Sequence, residues 1–143
     1  YEQYEISNYA KLGMRSKHNS SYWQGKSYYG LGPSAHSFDG SSRRWNVRNN
    51  TQYMNQVGKN DKWFETEHLS ANERRNEQIL LGLRTIWGLD LSTLATDWTP
   101  KESAQITEFA RLNWLTVSND YIVLTEQGKL HADGIAAALF RVD

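Results

Sequence analysis

Apolar residues recur at helical spacing mainly in the second half of the chain. Ser70 and Glu73 form a capping box, and five apolar residues after them fall on one helical face. These residues are Ile79, Leu80, Leu83, Ile86 and Trp87. The pattern predicts a helix that begins near Ser70 and is ended by Gly88.

The next segment carries a second set of helix signals. Residues 89–98 predict a short helix. Thr99, Pro100 and Glu102 then supply the N-cap, the first position and the capping box of a longer helix. Its apolar stripe consists of Ile106, Phe109 and Ala110.

Two short β runs and a final helix complete the second half. Residues 115–118 and 121–124 flank Asn119-Asp120, a pair typical of a hairpin turn. A last helix is predicted from about Glu126. Its inward residues are Leu130, Ile135, Ala138 and Leu139. Helix, short helix, helix, hairpin and helix is the order of a winged-helix-like module.

The first half alternates polar and apolar residues only over short stretches. Residues 1–7, 27–31 and 42–47 predict short strands. Residues 8–22 predict a loop, and residues 51–57 predict a short helix. Short strands joined by long polar loops cannot easily bury their own apolar surface, so this half looks like the edge of a larger α/β unit.

Composition narrows the possible functions. The chain has 143 residues, of which 22% are charged and none is cysteine. This is typical of a folded protein, and it excludes disulfides, thiolate metal sites and a cysteine-held iron–sulfur cluster within the chain. The sequence has no transmembrane stretch and no signal peptide, which together with the lack of disulfides favours a cytoplasmic location.

The net charge of zero hides an uneven distribution. Residues 1–65 carry nine Lys/Arg against five Asp/Glu, whereas residues 66–143 carry seven against eleven. Positive charge supplies most of the non-specific affinity for nucleic acid, and the acidic second half lacks it. We therefore expect no nucleic-acid binding and favour a module that packs against protein or acts as a lid.

Residues 30–35 (Gly-Leu-Gly-Pro-Ser-Ala) match the dinucleotide pattern G-x-G-x-x-A. That pattern holds a pyrophosphate only where it opens a long helix, and residues 37–42 cannot form one. We therefore reject a Rossmann site. The glycines either let a ligand or another backbone approach closely, or form a plain tight turn.

Imidazole and guanidinium groups are the remaining candidates for chemistry. His18 precedes Tyr22 and Trp23, and it is either an axial ligand for haem iron beside flat aromatic rings or a cap for a turn. His36, beside the glycines, is more often structural than functional in such a place. A basic cluster around Trp45 consists of Arg43, Arg44 and Arg48. It either binds propionates or phosphates or is a solvated loop.

Five segments carry a resemblance to known proteins. They are residues 4–11 (YEISNYAK), 18–23 (HNSSYW), 29–38 (YGLGPSAHSF), 77–88 (EQILLGLRTIWG) and 124–128 (LTEQG). Together they resemble the family of oxygen-independent coproporphyrinogen III oxidases and HemW haem chaperones. The second matches the HNxxYW motif, which marks the HemW branch and is missing from the oxidase branch. Leu12 departs from the family by replacing a usual proline.

The resemblance implies an α+β fold in two parts. Residues 1–65 would supply the C-terminal edge strands and loops of a partial α/β barrel of the radical-SAM type. Residues 66–143 would form a winged-helix-like helical domain at the barrel mouth. The [4Fe-4S] cluster and S-adenosylmethionine would bind a part of the parent protein upstream of Tyr1, so this C-terminal part alone would have no radical chemistry.

The resemblance also implies site residues. His18 is expected to ligate haem iron, with Tyr22 and Trp23 shaping the site, and no other metal ligand is expected. Ala10 and His36 are expected to line the S-adenosylmethionine pocket, although the oxidase branch has an apolar residue in place of His36.

Three functions stay open on the sequence. The HNxxYW motif favours a chaperone that binds haem and hands it to an acceptor protein. The second is an oxidase that decarboxylates coproporphyrinogen III by radical chemistry. The third is a non-catalytic docking module in which His18 is structural.

Overall fold

The computed structural model describes residues 1–94, 97–118 and 120–142. It combines helices and sheets in two compact units, one formed by residues 1–24 and the described residues from 71 onward, the other by residues 25–70. The sequence predicted a domain boundary near residue 65. In the structure, residues 1–24 group with the residues that follow this boundary. Asn119 of the predicted hairpin turn, and Ala95 and Thr96 of the predicted short helix, lie outside the described residues.

The first unit begins with a two-stranded hairpin. Strand β1 (Glu2–Glu5) confirms the predicted strand and pairs antiparallel with β2 (Asn8–Ala10). The buried carboxylate of Glu5 closes the turn, because it accepts hydrogen bonds from the Ser7 backbone N–H and from the Asn8 side chain. A carboxylate that accepts from its own turn in this way replaces water as the partner of those N–H groups.

A short helix, α1 (Lys17–Trp23), follows the hairpin. The Ser16 hydroxyl caps it by accepting a hydrogen bond from the Asn19 backbone N–H at 3.1 Å. The loop predicted over residues 8–22 is therefore wrong, since it contains both β2 and most of α1. Polar caps and tight turns build these elements, and they leave no apolar period in the sequence to predict them from.

The second unit is a three-stranded antiparallel sheet with one short helix. Its elements are β3 (His36–Phe38), β4 (Ser42–Asn46), α2 (Asn50–Gln56) and β5 (Phe64–His68), in the strand order β3-β4-β5. Strand β4 and helix α2 confirm the predictions over 42–47 and 51–57. The strand predicted over 27–31 is wrong, because that segment forms a single isolated bridge, from Tyr28 to Phe38, before the chain turns at the glycines.

The rest of the first unit joins helices to a second three-stranded antiparallel sheet, of order β6-β8-β7. The elements are α3 (Ala71–Leu83), β6 (Leu89–Asp90), α4 (Pro100–Arg111), β7 (Leu115–Val117), β8 (Tyr121–Leu124), α5 (Glu126–Lys129) and α6 (Ala132–Ala138). Helix α4 and its complete capping box between Thr99 and Glu102 are confirmed, as are the two strands of the hairpin.

This part differs from the prediction at the end of α3, in the segment 89–98 and in the last helix. Helix α3 ends before Gly88, because the backbone N–H of Ile86 bonds to the Tyr4 carbonyl of β1 (3.2 Å). Within the predicted helix over 89–98, the chain forms β6 and one 3-10 turn (Leu91–Thr93), since β6 pairs with β8.

The predicted last helix is divided into α5 and α6 at Leu130 and His131. Because of this break Leu130, which was expected to face inward, is 82% exposed, whereas Ile135 and Leu139 are buried as expected. Gly128 fixes the position of α5, because a Cβ there would lie 1.6 Å from the Trp114 carbonyl oxygen.

The core of the first unit lies between α3, α4, α6 and the sheet. Its buried members are Ile79, Leu83, Leu89, Ile106, Leu115, Ile122, Leu124, Ala132, Ile135, Ala136 and Leu139. Burial of these side chains is the main stabilising contribution available to this unit. In the described part of the chain, none of the helices has both the length and the apolar character needed to cross a membrane.

A buried ionic network closes this core on one side. Glu102 accepts from Arg141 through both carboxylate oxygens (2.9 and 2.8 Å) and pairs with buried Arg75 at 3.1 Å. Burial raises the pKa of Glu102, but hydrogen bonds from Arg141 and Thr99 and the charge of Arg75 outweigh it and lower the pKa to about 2. The network ties α3 and α4 to the residues that follow α6.

Candidate functional site

Helix α1 displays the histidine of the HNxxYW motif at the surface. His18 is exposed, and its ring stands edge-on to that of Tyr22, with 4.9 Å between the ring centroids and 86° between the planes. Tyr22 is itself partly exposed. Because this imidazole is exposed and contacts the Tyr22 ring edge-on, an iron-bearing macrocycle can reach it.

Two contacts hold α1 against the rest of the first unit. The side-chain amide of Asn19 donates to the buried hydroxyl of Tyr4 at 3.1 Å. At the end of the helix, the guanidinium carbon of Arg84 lies 5.4 Å from the centroid of the Trp23 ring. The Trp23 indole N–H is buried and has no hydrogen-bond partner among the described residues. Arg84 thus lies over a ring whose N–H makes no hydrogen bond within the described residues.

Arg84 is in turn held by two carboxylates. Its Nε and Nη2 contact Oε1 of Glu5 at 3.0 and 2.9 Å, and its Nη1 contacts Asp133 of α6 at 3.1 Å. The Glu5 side chain is fully buried, whereas the Asp133 side chain is 83% exposed. Residues of three segments that carry the resemblance, 4–11, 18–23 and 77–88, thus meet at Glu5, Trp23 and Arg84.

The glycine-rich segment 30–35 forms a turn in the second unit that leads into β3. A Cβ on Gly30 would lie 2.2 Å from the His36 carbonyl oxygen, so the absence of a side chain allows two backbones to approach. The buried Asn46 side chain holds the turn by donating to the Gly32 carbonyl at 2.8 Å. A strand and not a helix follows this segment, so the helix N-terminus that the dinucleotide pattern requires is not formed here.

His36 itself lies on the surface of the second unit. Its side chain is exposed, and its ring lies 6.3 Å from the Trp45 ring on the neighbouring strand. The side chain is therefore available to a ligand on this face of the sheet.

The basic cluster of the second unit is packed against aromatic rings. The guanidinium carbon of Arg44 lies 3.9 Å from the Phe64 ring centroid and 4.3 Å from that of Trp63, and Arg44 Nη2 donates to the Tyr29 hydroxyl at 3.1 Å. These contacts place Arg44 on the wall of a concavity of about 570 Å³. Arg44 is thus not part of a solvated loop, whereas Arg48 is exposed.

The same concavity carries one carboxylate, Asp39. The pKa of Asp39 lies well below its usual range, because the Ser42 hydroxyl and the backbone N–H groups of Ser41 and Ser42 all donate to it. These bonds make Asp39 the closing residue of the turn between β3 and β4.

A second concavity, of about 470 Å³, belongs to the first unit and was not predicted. One part of its wall is a stack of three rings, in which the Trp114 ring lies 5.8 Å from the Phe109 ring and 4.1 Å from the His131 ring. No pattern in the sequence predicts this stack, because the three residues come from separate elements. Within the described residues no group of three His, Cys, Asp or Glu side chains is arranged to hold a metal ion.

The structure brings three of the predicted site residues together and separates the other two. His18, Tyr22 and Trp23 share α1. Ala10 ends β2 and is buried, and His36 belongs to the second unit. Sequence reasoning missed Glu5 and Arg84. The only signal in the sequence was a charged residue next to an inward apolar or aromatic one, Glu5 beside Tyr4 and Arg84 directly after Leu83.

Comparisons with known proteins agree on one family. Residues 69–131 match the HemN C-terminal domain. The chain is 32% identical over 141 residues to a protein of Bacillus subtilis named heme chaperone HemW, an alignment that covers 95% of this chain and 37% of that protein. It is also 32% identical over 137 residues to the heme chaperone HemW of Mycobacterium tuberculosis, covering 95% of this chain and 34% of that protein.

A solved structure has the same fold. The chain is similar to coproporphyrinogen III oxidase (HemN) from Escherichia coli, described as a radical SAM enzyme, with a TM-score of 0.59 and 21% identity. The likeness covers 80% of this chain and 28% of that protein. The chain thus spans about a third of the length of the proteins it matches.

Proposed function

Since the chain belongs to the HemN/HemW family, we propose that it forms part of a HemW-type haem chaperone and that helix α1 contributes to the haem site. His18 would ligate the haem iron through an imidazole nitrogen. Tyr22 and Trp23 would pack beside the macrocycle. Haem is then the cargo of the whole protein, which would pass it to an acceptor protein.

The observation that carries the proposal is the exposed His18 on a capped helix, braced by Tyr22. A buried histidine would need the helix to open before a macrocycle could reach it, whereas this one is accessible in the folded unit. The alignments with the relatives named heme chaperone HemW cover 95% of this chain.

An exposed single histidine also suits transfer of the cargo. His18 would hold the haem at an exposed surface, where an acceptor protein would also reach it. The edge-on contact with Tyr22 limits rotation of the His18 ring, so less freedom is lost when iron binds.

The test is a haem titration of the full-length protein, followed by Soret absorbance. His18→Ala should weaken binding by about tenfold or more, because the iron loses its protein ligand. The matched control is His131→Ala, which also removes an exposed imidazole packed against an aromatic ring. Affinity that is unchanged in His18→Ala would remove His18 from the site, and absence of haem binding together with decarboxylation of coproporphyrinogen III would favour the oxidase.

We extend the proposal to the architecture of the whole protein. Residues 1–65 would complete the last strands and loops of a partial α/β barrel, and residues 66–143 would form a winged-helix-like domain. The order α3, β6, α4, β7, β8 and the sheet order β6-β8-β7 support the second assignment. Because the chain contains no cysteine, the ligands of a [4Fe-4S] cluster would come from elsewhere in the protein.

Ala10 and His36 would line the S-adenosylmethionine pocket of that whole protein. The exposure of His36 beside the Gly30 turn supports its part. Ala10 is 8% exposed, so it would contribute a small apolar surface. In the full-length protein, His36→Ala should weaken binding of S-adenosylmethionine and leave the haem affinity unchanged, which calorimetry with each ligand would measure.

A further inference from the structure

We propose that Arg84 is a positioning residue for the haem site: it fixes Trp23, and through Trp23 the orientation of the helix that carries His18. The inference rests on the proposed haem-binding function. It concerns a residue that would not itself touch haem and that lies in the matched HemN C-terminal domain, 61 positions after Trp23.

The first step is that α1 cannot hold its own orientation. The helix has seven residues, too few to be stable in isolation, so its placement depends on contacts with the rest of the unit. Its first half is held by the hydrogen bond from Asn19 to Tyr4. Its last residue, Trp23, packs under the Arg84 guanidinium.

The second step is that Trp23 depends on Arg84 for its position. A buried indole N–H normally has a hydrogen-bond partner that fixes the ring, and that of Trp23 has none in the described part of the chain. The planar guanidinium 5.4 Å from the ring centroid provides a cation–π contact in place of that bond. A lysine would supply the charge without the planar group.

The third step is that Arg84 is itself immobilised. Two of its nitrogens contact one oxygen of Glu5, and that carboxylate is fully buried. Asp133 holds the third nitrogen from the opposite side. A guanidinium whose Nε and Nη2 are held by a buried carboxylate does not follow a moving ring, so the ring adopts the position that Arg84 sets.

The experiment compares Arg84→Met with the double variant Glu5→Gln/Arg84→Met in the full-length protein. The single variant leaves a buried carboxylate without its cation and can fail to fold, whereas the double variant removes both charges. The matched control is Arg111→Met, because Arg111 pairs only with Glu108 on the exposed surface of α4 in the described contacts. Two properties are measured: amide hydrogen exchange over residues 17–24, and haem affinity with the Soret spectrum.

We expect the double variant to fold, to exchange faster over residues 17–24 and to bind haem about tenfold more weakly, with an altered Soret band. Arg84→Lys should restore the folding stability but not the full haem affinity. Unchanged exchange and unchanged affinity in the double variant would overturn the inference. If the unmodified protein binds no haem, the proposed function fails, while unchanged exchange at 17–24 in the variant would separately overturn the positioning role.

Discussion

Two carboxylates among the described residues are buried in the first unit, and they serve different regions. Glu102 lies between α3, α4 and the chain after α6, where it binds Arg141 and Arg75. Glu5 lies in the N-terminal hairpin, where it binds Arg84. Both are no more than 5% exposed, so each needs its arginine.

The arginines that pair with the two carboxylates differ in the other groups that they contact. Arg75 packs on Trp98 and donates to the Leu139 carbonyl, so the Glu102 network ends inside the helical part of the unit. Arg84 packs on Trp23, so the Glu5 pair ends at the helix that carries His18. The same chemistry is therefore expected to stabilise the fold in the first case and to set the geometry of the site in the second.

The largest expected effect is on stability at Glu102. Glu102→Gln removes a charge that two arginines share and weakens the capping box of α4, and we expect the free energy of unfolding to fall by about 3–5 kcal/mol. Urea denaturation monitored by circular dichroism measures it. Haem affinity of the folded fraction should not change, and a large loss of affinity would contradict the proposed division between the two carboxylates.

Lowering the pH should weaken the same network without a mutation. The pKa of Glu102 is lowered from 4.5 to about 2 by its arginines and by Thr99, so its contribution is complete above about pH 4.5 and is lost as the pH falls toward 2. The shift corresponds to about 3 kcal/mol. The free energy of unfolding measured between pH 6 and pH 2 should fall less in Glu102→Gln than in the unmodified protein. An equal decrease in the two proteins would contradict this assignment.

A smaller loss of stability is expected at Glu5. Glu5→Gln keeps hydrogen-bonding capacity in the turn and leaves Arg84 paired with Asp133, so we expect a loss of about 2 kcal/mol. Haem affinity should nevertheless fall more in Glu5→Gln than in Glu102→Gln. The reverse order would show that the hairpin carboxylate has no part in the haem site.

The smallest effect is expected at the exposed partner of Arg84. The Asp133 side chain is 83% exposed, and solvent screens its attraction to Arg84. Asp133→Asn should leave the melting temperature and the haem affinity unchanged within error. A clear loss of affinity would mean that Asp133, and not Glu5, immobilises Arg84.

Local signals in the sequence predicted the elements that are locally determined. The capping box of Thr99 and Glu102 placed the start of α4 correctly, because every bond in it lies within four residues. The two β runs of the second half were found because they flank Asn119-Asp120, a pair typical of a hairpin turn. The same reasoning failed for residues 8–22, where capping by Ser16 and turn closure by Glu5 leave no apolar period.

Contacts between residues far apart in the sequence limited how much of the candidate site could be predicted. The HNxxYW motif was enough to place His18, Tyr22 and Trp23 together, since all three lie within one helix. Arg84 could not be found in this way, because its contact with Glu5 spans 79 positions and nothing in the sequence pairs them. The break between α5 and α6 was also missed; α5 packs Gly128 directly against the Trp114 backbone, a contact that the sequence does not indicate.

The grouping of residues 1–24 with the residues from 71 onward has a consequence for synthesis of the protein. The HNxxYW segment leaves the ribosome before Arg84 has been made, and at about 5–20 residues per second several seconds separate the two. During that interval His18 is present on a chain that has no partner for Trp23. The order of translation therefore delays completion of the contacts of helix α1 until the HemN C-terminal domain has begun to emerge.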